Sequence, residues 1–542
     1  MPSSPQFHWS RGRALLLLTA LCALLFFYRL DARDFETTDE ARRALVVRAM
    51  VDSGDYSVPT LSGRVYLKKP PLYYWIAAAT SKASGSTDEW VYRFPSALAT
   101  TAGVLLLFLL AERLLDRRAA VLASAMLATC VMFLIRGGRA QIDMTLCCLV
   151  LAAMLCLARA RDAGWRGWAP WGFWSAMGLA FLAKGPVGLL FPLGAALALA
   201  AGPGFREEIR RMRPVRGVLL VAAIVFPWAV AVVNHVGPET AFGILREEAF
   251  GGFTETGVRH REPFLFYFYE APAQFLPWSF FLPAAVLALL EVKTQAERAA
   301  LRFAAAWFFP ALIVLSLSHQ KRSFYLLPAF GALAIWHGWA VNRYILSPEA
   351  EGGSTVARRA ARLGLMALLA LILMGALAGG AYLHAQQPEI FGRVSIPLAA
   401  AGLWALYALV NLRRGRPGRA LATLVIVVAL FVAVHRGPLA DWFNAHKSAR
   451  PLAERIVRAV PPDGELLSLY QDWHAIEAYS ERPIERVDSD KALRRRLAQD
   501  KPVYVILSEN LFRDRQSLFR RVVFTSAGYQ GKGSRVVLAA NQ

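Results

Sequence analysis

Two adjacent carboxylates, Asp39 and Glu40, are followed one turn later by Arg42 and Arg43, and further on by Lys68-Lys69-Pro70-Pro71. A carboxylate in such a place can act as a general base or orient a hydroxyl. A lysine ammonium is a compact charge suited to a phosphate oxygen, and the prolines fix the backbone just after it. Plainer readings stand beside these. Acids in the first turn of a surface helix complement its N-terminus, and paired lysines near lipid headgroups are common. The spacing of Ala41, Ala44, Leu45, Val47 and Val51 predicts a helix over 39–52, with Thr37 or Thr38 as N-cap.

More cations follow at intervals. Arg139 and Asp143 stand four apart, which suits an intrahelical pair or a substrate contact. Lys184 precedes Gly185-Pro186 and either snorkels to an interface or lines a site. Arg259-His260-Arg261 supplies either half of a phosphate site or an interfacial belt; His260 alone is weak ground for a metal. Lys321-Arg322 leads into Ser323-Phe324-Tyr325. An acid pair and cations from four separate loops suit the handling of a lipid-linked phosphate.

These residues hang on a membrane frame. The 542-residue sequence is 56% hydrophobic and 18% charged, with apolar runs long enough to span a hydrocarbon core. The net charge of +22 is spread over clusters between those runs, as orientation signals are, so nucleic-acid binding is not expected. Contact with anionic membrane lipid is. Cys22, Cys130, Cys147, Cys148 and Cys156 all fall inside apolar runs without metal-ligand spacing, which argues against disulfides and zinc ribbons. The first run lacks a convincing cleavage site and is read as a retained span.

With basic clusters as compass, the N-terminus is cytoplasmic and about thirteen spans alternate. They fall near 14–30, 94–112, 119–135, 144–158, 169–183, 187–201, 217–234, 275–290, 303–317, 324–341, 363–384, 395–411 and 420–435. Residues 31–93 and 235–274 become the long outside loops, and 71–84, with Tyr73, Tyr74 and Trp75, is expected along the membrane surface. Arg136, Arg139, Lys184, Lys321 and Arg322 violate the compass and invite a functional reading. The transmembrane domain is thus 1–436. The tail, 437–542, reads as a small outside α/β domain with helices over 449–460 and 491–499 and strands over 465–470, 502–507 and 535–540. No transporter-type repeat is visible, which counts against a lipid or sugar transporter or flippase.

The order DEARRA, SGDYSVP, GRVYLKKPPLYYW, RFPSALA, RAQIDM, KGP and KRSFYLLP, over roughly 14–345, resembles the aminoarabinose transferase-like, protein mannosyltransferase-type superfamily of lipid-dependent glycosyltransferases (family 39/83 type). The resemblance implies a GT-C fold, a polyprenyl-phosphate (undecaprenyl) sugar donor, and inverting transfer on the periplasmic face of a bacterial inner membrane. The acceptor it implies is a lipid A phosphate or another envelope glycan; a protein O-mannosyltransferase is the alternative within the fold. By motif, Asp39 with Glu40 beside it is the catalytic or acceptor-orienting acid. Lys69 holds the donor phosphate with Arg259 or Arg261, and Arg42, Tyr66 and Tyr325 line the cavity, joined by Arg139, Asp143, Lys184 and Lys321. Two departures stand out: Arg43 where the aminoarabinose transferases have an aromatic, and Lys68 where they have a glutamate. That glutamate is a possible metal ligand, so Lys68 argues against a divalent metal as cofactor.

Overall fold

The computed structural model describes residues 9–250, 262–292, 294–346, 355–526 and 535–542. The chain divides into two compact units: Met1–Tyr28, Leu67–Tyr73 and Arg93–Val434 form the first, and Arg29–Tyr66, Tyr74–Tyr92 and His435–Gln542 the second.

The first unit is helical. Among the described residues, eight helices are long and apolar enough to cross a membrane, from Glu89–Leu114 to Pro417–Arg436, and ten if each of two bent helix pairs counts as one span. Three shorter apolar segments, Arg11–Cys22 with Ala23–Phe27, Ala169–Lys184 and Val187–Ala200, occupy the remaining predicted positions. Every expected span therefore falls on a helix, but the shorter and bent ones do not reach full length as single rods.

The two bends have a shared physical basis. Arg117–Thr129 and Val131–Gly137 meet at 60°, and Phe266–Gln274 and Trp278–Leu289 at 110°. The Val131 N–H donates to the Leu276 carbonyl at 2.8 Å, and the Trp278 indole donates to Thr129 Oγ1 at 3.0 Å. Each break satisfies polar groups freed by the other, which a low-dielectric interior demands. Small residues allow close packing elsewhere. A Cβ on Gly338 would stand 2.8 Å from the Ala119 carbonyl oxygen, and one on Gly331 2.3 Å from the Trp307 ring.

The second unit contains the helix Thr38–Ser53, capped by Thr37, one of the two N-cap candidates in the sequence, and ended by Gly54 at φ 71°. A short hairpin, β1 (Thr60–Leu61) and β2 (Arg64–Val65), follows. The helix Leu72–Ser84 carries Tyr73 and Tyr74 fully buried, not displayed as interfacial aromatics. The tail forms a five-stranded sheet of described residues: β3 (Glu465–Leu469), β4 (Glu485–Val487), β5 (Val503–Ser508), β6 (Arg521–Ser526) and β7 (Val536–Ala540), in the order β4-β3-β5-β7-β6. β3 pairs in parallel with β4 and β5, and β7 antiparallel with β5 and β6. Leu467, Leu469, Val505, Leu507, Val537 and Ala539 share its core with Leu493 and Phe512.

Candidate active site

In the first unit, four distant motifs meet. The helix Ile142–Asp162 starts with Asp143 in its first turn, and Ala169–Lys184 ends with Lys184 in its last. The two side chains form an ion pair with only 6% and 10% of their surfaces exposed. Each charge sits at the helix end whose dipole favours it. The Lys184 ammonium also lies 4.8 Å from the Tyr325 ring centroid and 5.5 Å from that of Phe324. Arg136 stacks on the same Phe324 ring at 3.9 Å and donates to Gln141 Oε1 at 2.9 Å. Gln141 is held in turn, its N–H donating to Ser96 Oγ at 2.8 Å.

The turn after Lys184 needs its glycine, because Gly185 has φ +70°. A Cβ there would stand 4.0 Å from Pro70 Cγ, so the Lys68-Lys69-Pro70-Pro71 segment reaches this same end of the unit. Pro70 and Pro71 are buried, Lys69 is half-buried and Lys68 exposed.

Arg139 lies in the turn before the helix, bonded through its N–H to the Arg136 carbonyl, and Asp143 pairs with Lys184. The helix starts only at Ile142, so Arg139 stands in the turn before it and Asp143 in its first turn. Lys321 turns inward as well. Its ammonium donates to the carbonyls of Ser318 at 2.5 Å and Glu262 at 2.9 Å. Burial pulls its pKa below the ordinary lysine value, with the Glu262 carboxylate acting in the opposite sense. Tyr267 and Gln274 brace the adjoining backbone by donating to the carbonyls of Arg322 and Ser323.

In the second unit, the two acids of the first loop have different surroundings. Glu40 is fully buried, and its Oε2 accepts the Glu36 N–H at 2.9 Å while its own N–H donates to Thr37 Oγ1. It works as a local cap. Asp39 keeps 39% of its side chain exposed and pairs with Arg42 at 2.9 Å. Tyr66, just past β2, is half-buried, and its N–H donates to the Pro59 carbonyl.

Arg259, His260 and Arg261 lie outside the described residues. Among the described residues no group of three or more His, Cys, Asp or Glu side chains is placed to hold a metal. Lys68 places a cation, not a carboxylate, beside Lys69.

A family model described as dolichyl-phosphate-mannose-protein mannosyltransferase matches residues 68–230. A Pseudomonas aeruginosa protein, undecaprenyl phosphate-alpha-4-amino-4-deoxy-L-arabinose arabinosyl transferase, is 31% identical over 448 residues, 78% of this chain and 76% of that one. This chain belongs to that family of glycosyltransferases. Fold agrees with sequence: the structure of ArnT from Cupriavidus metallidurans superposes with a TM-score of 0.77, at 20% identity over 97% of this chain and 98% of that one. The same protein bound to undecaprenyl phosphate gives 0.76, again at 20% identity, over 98% and 99%. The architecture is GT-C: a polytopic helical membrane protein with a small C-terminal sheet domain. As a member of the family the chain is a sugar-transferring enzyme, and the transporter alternative falls away.

The residues that hold the start of the first loop, Arg450 on Asp34 and Tyr479 on the Phe35 N–H, were not singled out from the sequence. Each is an ordinary polar residue there, and only long-range folding joins it to residues 32–36.

Proposed function

We propose that this enzyme moves 4-amino-4-deoxy-L-arabinose from undecaprenyl phosphate to a lipid A phosphate at the periplasmic face of a bacterial inner membrane. The N-terminus is cytoplasmic in this reading and residues 437–542 are periplasmic. The observation that supports it most, in a chain of this family, is the meeting of the Lys69–Pro71, Gln141–Asp143, Lys184–Gly185 and Phe324–Tyr325 segments at one end of the helical unit.

The reaction is a single displacement. An acceptor oxygen forms a bond to the anomeric carbon as the bond to the donor phosphate breaks, with inversion, and polyprenyl phosphate leaves. Lys69, with Arg259 or Arg261, stabilises the charge growing on the leaving phosphate. A phosphomonoester acceptor, with a second pKa of about 6, is already largely ionised near neutral pH. Asp39 then orients it and takes no proton; a hydroxyl acceptor would need Asp39 as base. Arg42 holds the Asp39 carboxylate, and Glu40 fixes the helix start beneath it. Tyr325, Lys184, Asp143, Arg139, Lys321 and Tyr66 serve as cavity-lining or wall residues.

The match of residues 68–230 to the mannosyltransferase model favours one second reading, a protein hydroxyl as acceptor. Mass spectrometry of lipid A from a host expressing the wild type, Asp39→Asn and Lys69→Ala decides between them. An aminopentose added by the wild type and lost in both variants is the expected result. Unmodified lipid A beside newly glycosylated envelope protein would transfer the assignment to the second reading.

A further inference from the structure

The structure assigns the C-terminal domain a part in the reaction: through Arg450 and Tyr479 it is the positioning scaffold of the helix that carries Asp39. This rests on the reading of Asp39 given above. Residues 32–36, Ala-Arg-Asp-Phe-Glu, form neither helix nor strand and contain little apolar surface to order themselves. Their groups are instead taken up one after another by side chains of the tail.

Asn444 brackets the start, donating to the Ala32 carbonyl and accepting the Asp34 N–H, both at 3.0 Å. Arg33 bonds to His435 and lies 4.0 Å over the Phe443 ring. The Arg450 guanidinium bridges Asp34 at 3.0 Å and Glu89 at 2.5 Å while stacking 4.6 Å over the Tyr479 ring. The Tyr479 hydroxyl accepts the Phe35 N–H at 2.6 Å and donates to Glu89 at 2.8 Å. Thr37 caps the helix two residues later, and Asp39 is its second residue.

The same tail segment grips the loop at two further places. Ala478 accepts a hydrogen bond from Arg48, eleven positions into the helix Thr38–Ser53, and Glu477 accepts one from Ser62 at the hairpin tip. Three consecutive residues, Glu477 to Tyr479, thus touch the hairpin, the body of the helix and the segment leading into it. Burial, then the charges of Glu89 and Asp34, raise the Tyr479 pKa, so its hydroxyl remains a donor to Glu89. For Arg450 those same carboxylates outweigh burial and keep it charged.

Structural glue and a positioning device make different predictions. Glue costs stability and leaves the turnover of the folded enzyme alone. A positioning device shifts the Asp39 carboxylate against the acceptor, which lowers kcat while leaving the donor KM in place.

The test uses the full-length enzyme in lipid nanodiscs. Its probes are synthetic undecaprenyl phosphate-4-amino-4-deoxy-L-arabinose and lipid A. Tyr479→Phe, Arg450→Ala, Arg450→Lys and Asp39→Asn are compared with the wild type in kcat, donor KM and amide exchange of residues 31–45. Tyr479→Phe and Arg450→Ala are expected to lower kcat about ten- to a hundredfold with donor KM unchanged. Exchange over 31–45 should speed up while that of β5 stays slow, and Arg450→Lys should recover part of the rate. Normal kcat in both clamp variants, with Asp39→Asn inactive, would overturn the positioning role and leave the Asp39 reading standing. A fully active Asp39→Asn would sink the Asp39 reading, and the positioning role with it. Unchanged exchange over 31–45 in Tyr479→Phe would refute the clamp directly.

Discussion

Removing one partner of the Asp143–Lys184 pair should cost more stability than removing both. The two side chains are 6% and 10% exposed, so neither charge has water to turn to when the other is lost. Breaking a buried pair from one side costs about 3–5 kcal/mol, because an uncompensated charge is left behind. Asp143→Asn belongs at the low end, about 3 kcal/mol, since an amide oxygen still accepts from Lys184. The Tyr325 and Phe324 rings near the ammonium return part of the loss, on the order of 0.5–2 kcal/mol.

Lys184→Met falls in the same range of about 3–5 kcal/mol, because the buried Asp143 carboxylate loses its ammonium partner. Asp143→Asn with Lys184→Met removes both charges, and replacing a buried pair by neutral groups of similar volume is near neutral. The coupling is then about 6–8 kcal/mol, the sum of about 3 and about 3–5 set against a near-neutral double variant. Unfolding in mixed micelles, followed by tryptophan fluorescence as denaturing detergent is added, measures all four corners of the cycle. Additive costs, within about 0.5 kcal/mol, would refute the pair as an energetic unit.

Three further outcomes are expected. Gly188→Leu should destabilise by about 1–3 kcal/mol in the same assay, since even a Cβ at Gly188 would stand 2.4 Å from the Ala180 carbonyl oxygen. Thr37→Ala, which removes the acceptor of the Glu40 N–H, should cost about 1 kcal/mol while Thr37→Ser costs little. The Tyr479 pKa is raised, so its contribution to stability is full below the ordinary tyrosine value of about 10 and is lost as pH rises through the folded value. The gap in unfolding midpoint between wild type and Tyr479→Phe should be flat at neutral pH and shrink only above about pH 10; a gap already closing at neutral pH would contradict it.

Much of the frame was legible in the sequence because membrane physics writes it there. Apolar length and the alternation of basic clusters placed a helix at every expected span, and the helical spacing after Thr37 gave the helix Thr38–Ser53 almost to the residue. In the tail, the expected strands became β3, β5 and β7, the buried apolar ones. β4 and β6 were missed. β4 is only three residues long, and β6 is an edge strand whose apolar run, Val522–Phe524, is equally short, with Arg520-Arg521 before it and Thr525-Ser526 after it. Bends escaped the reading because the polar groups that permit them are supplied by partners more than a hundred residues away, as with Val131 and Leu276. Glu40 illustrates a different limit. Adjacent acids look equivalent in sequence, yet helix geometry turns one into the interior and leaves the other accessible.

The cations that broke the positive-inside pattern acquire a sharper meaning from their partners. Arg136 is committed to Gln141 and the Phe324 ring, Lys184 to Asp143, and Lys321 to two backbone carbonyls. A charge already neutralised or fully hydrogen-bonded gains less from an incoming phosphate than one at a solvent-facing edge, because existing bonds must be exchanged for new ones. Placement near the site is therefore not enough to make a donor ligand. On this ground Lys184 and Lys321 fit the wall of the site better than the donor phosphate. Arg136 and Lys184 sit in the last turns of their helices and pack against the aromatic wall of Phe324 and Tyr325.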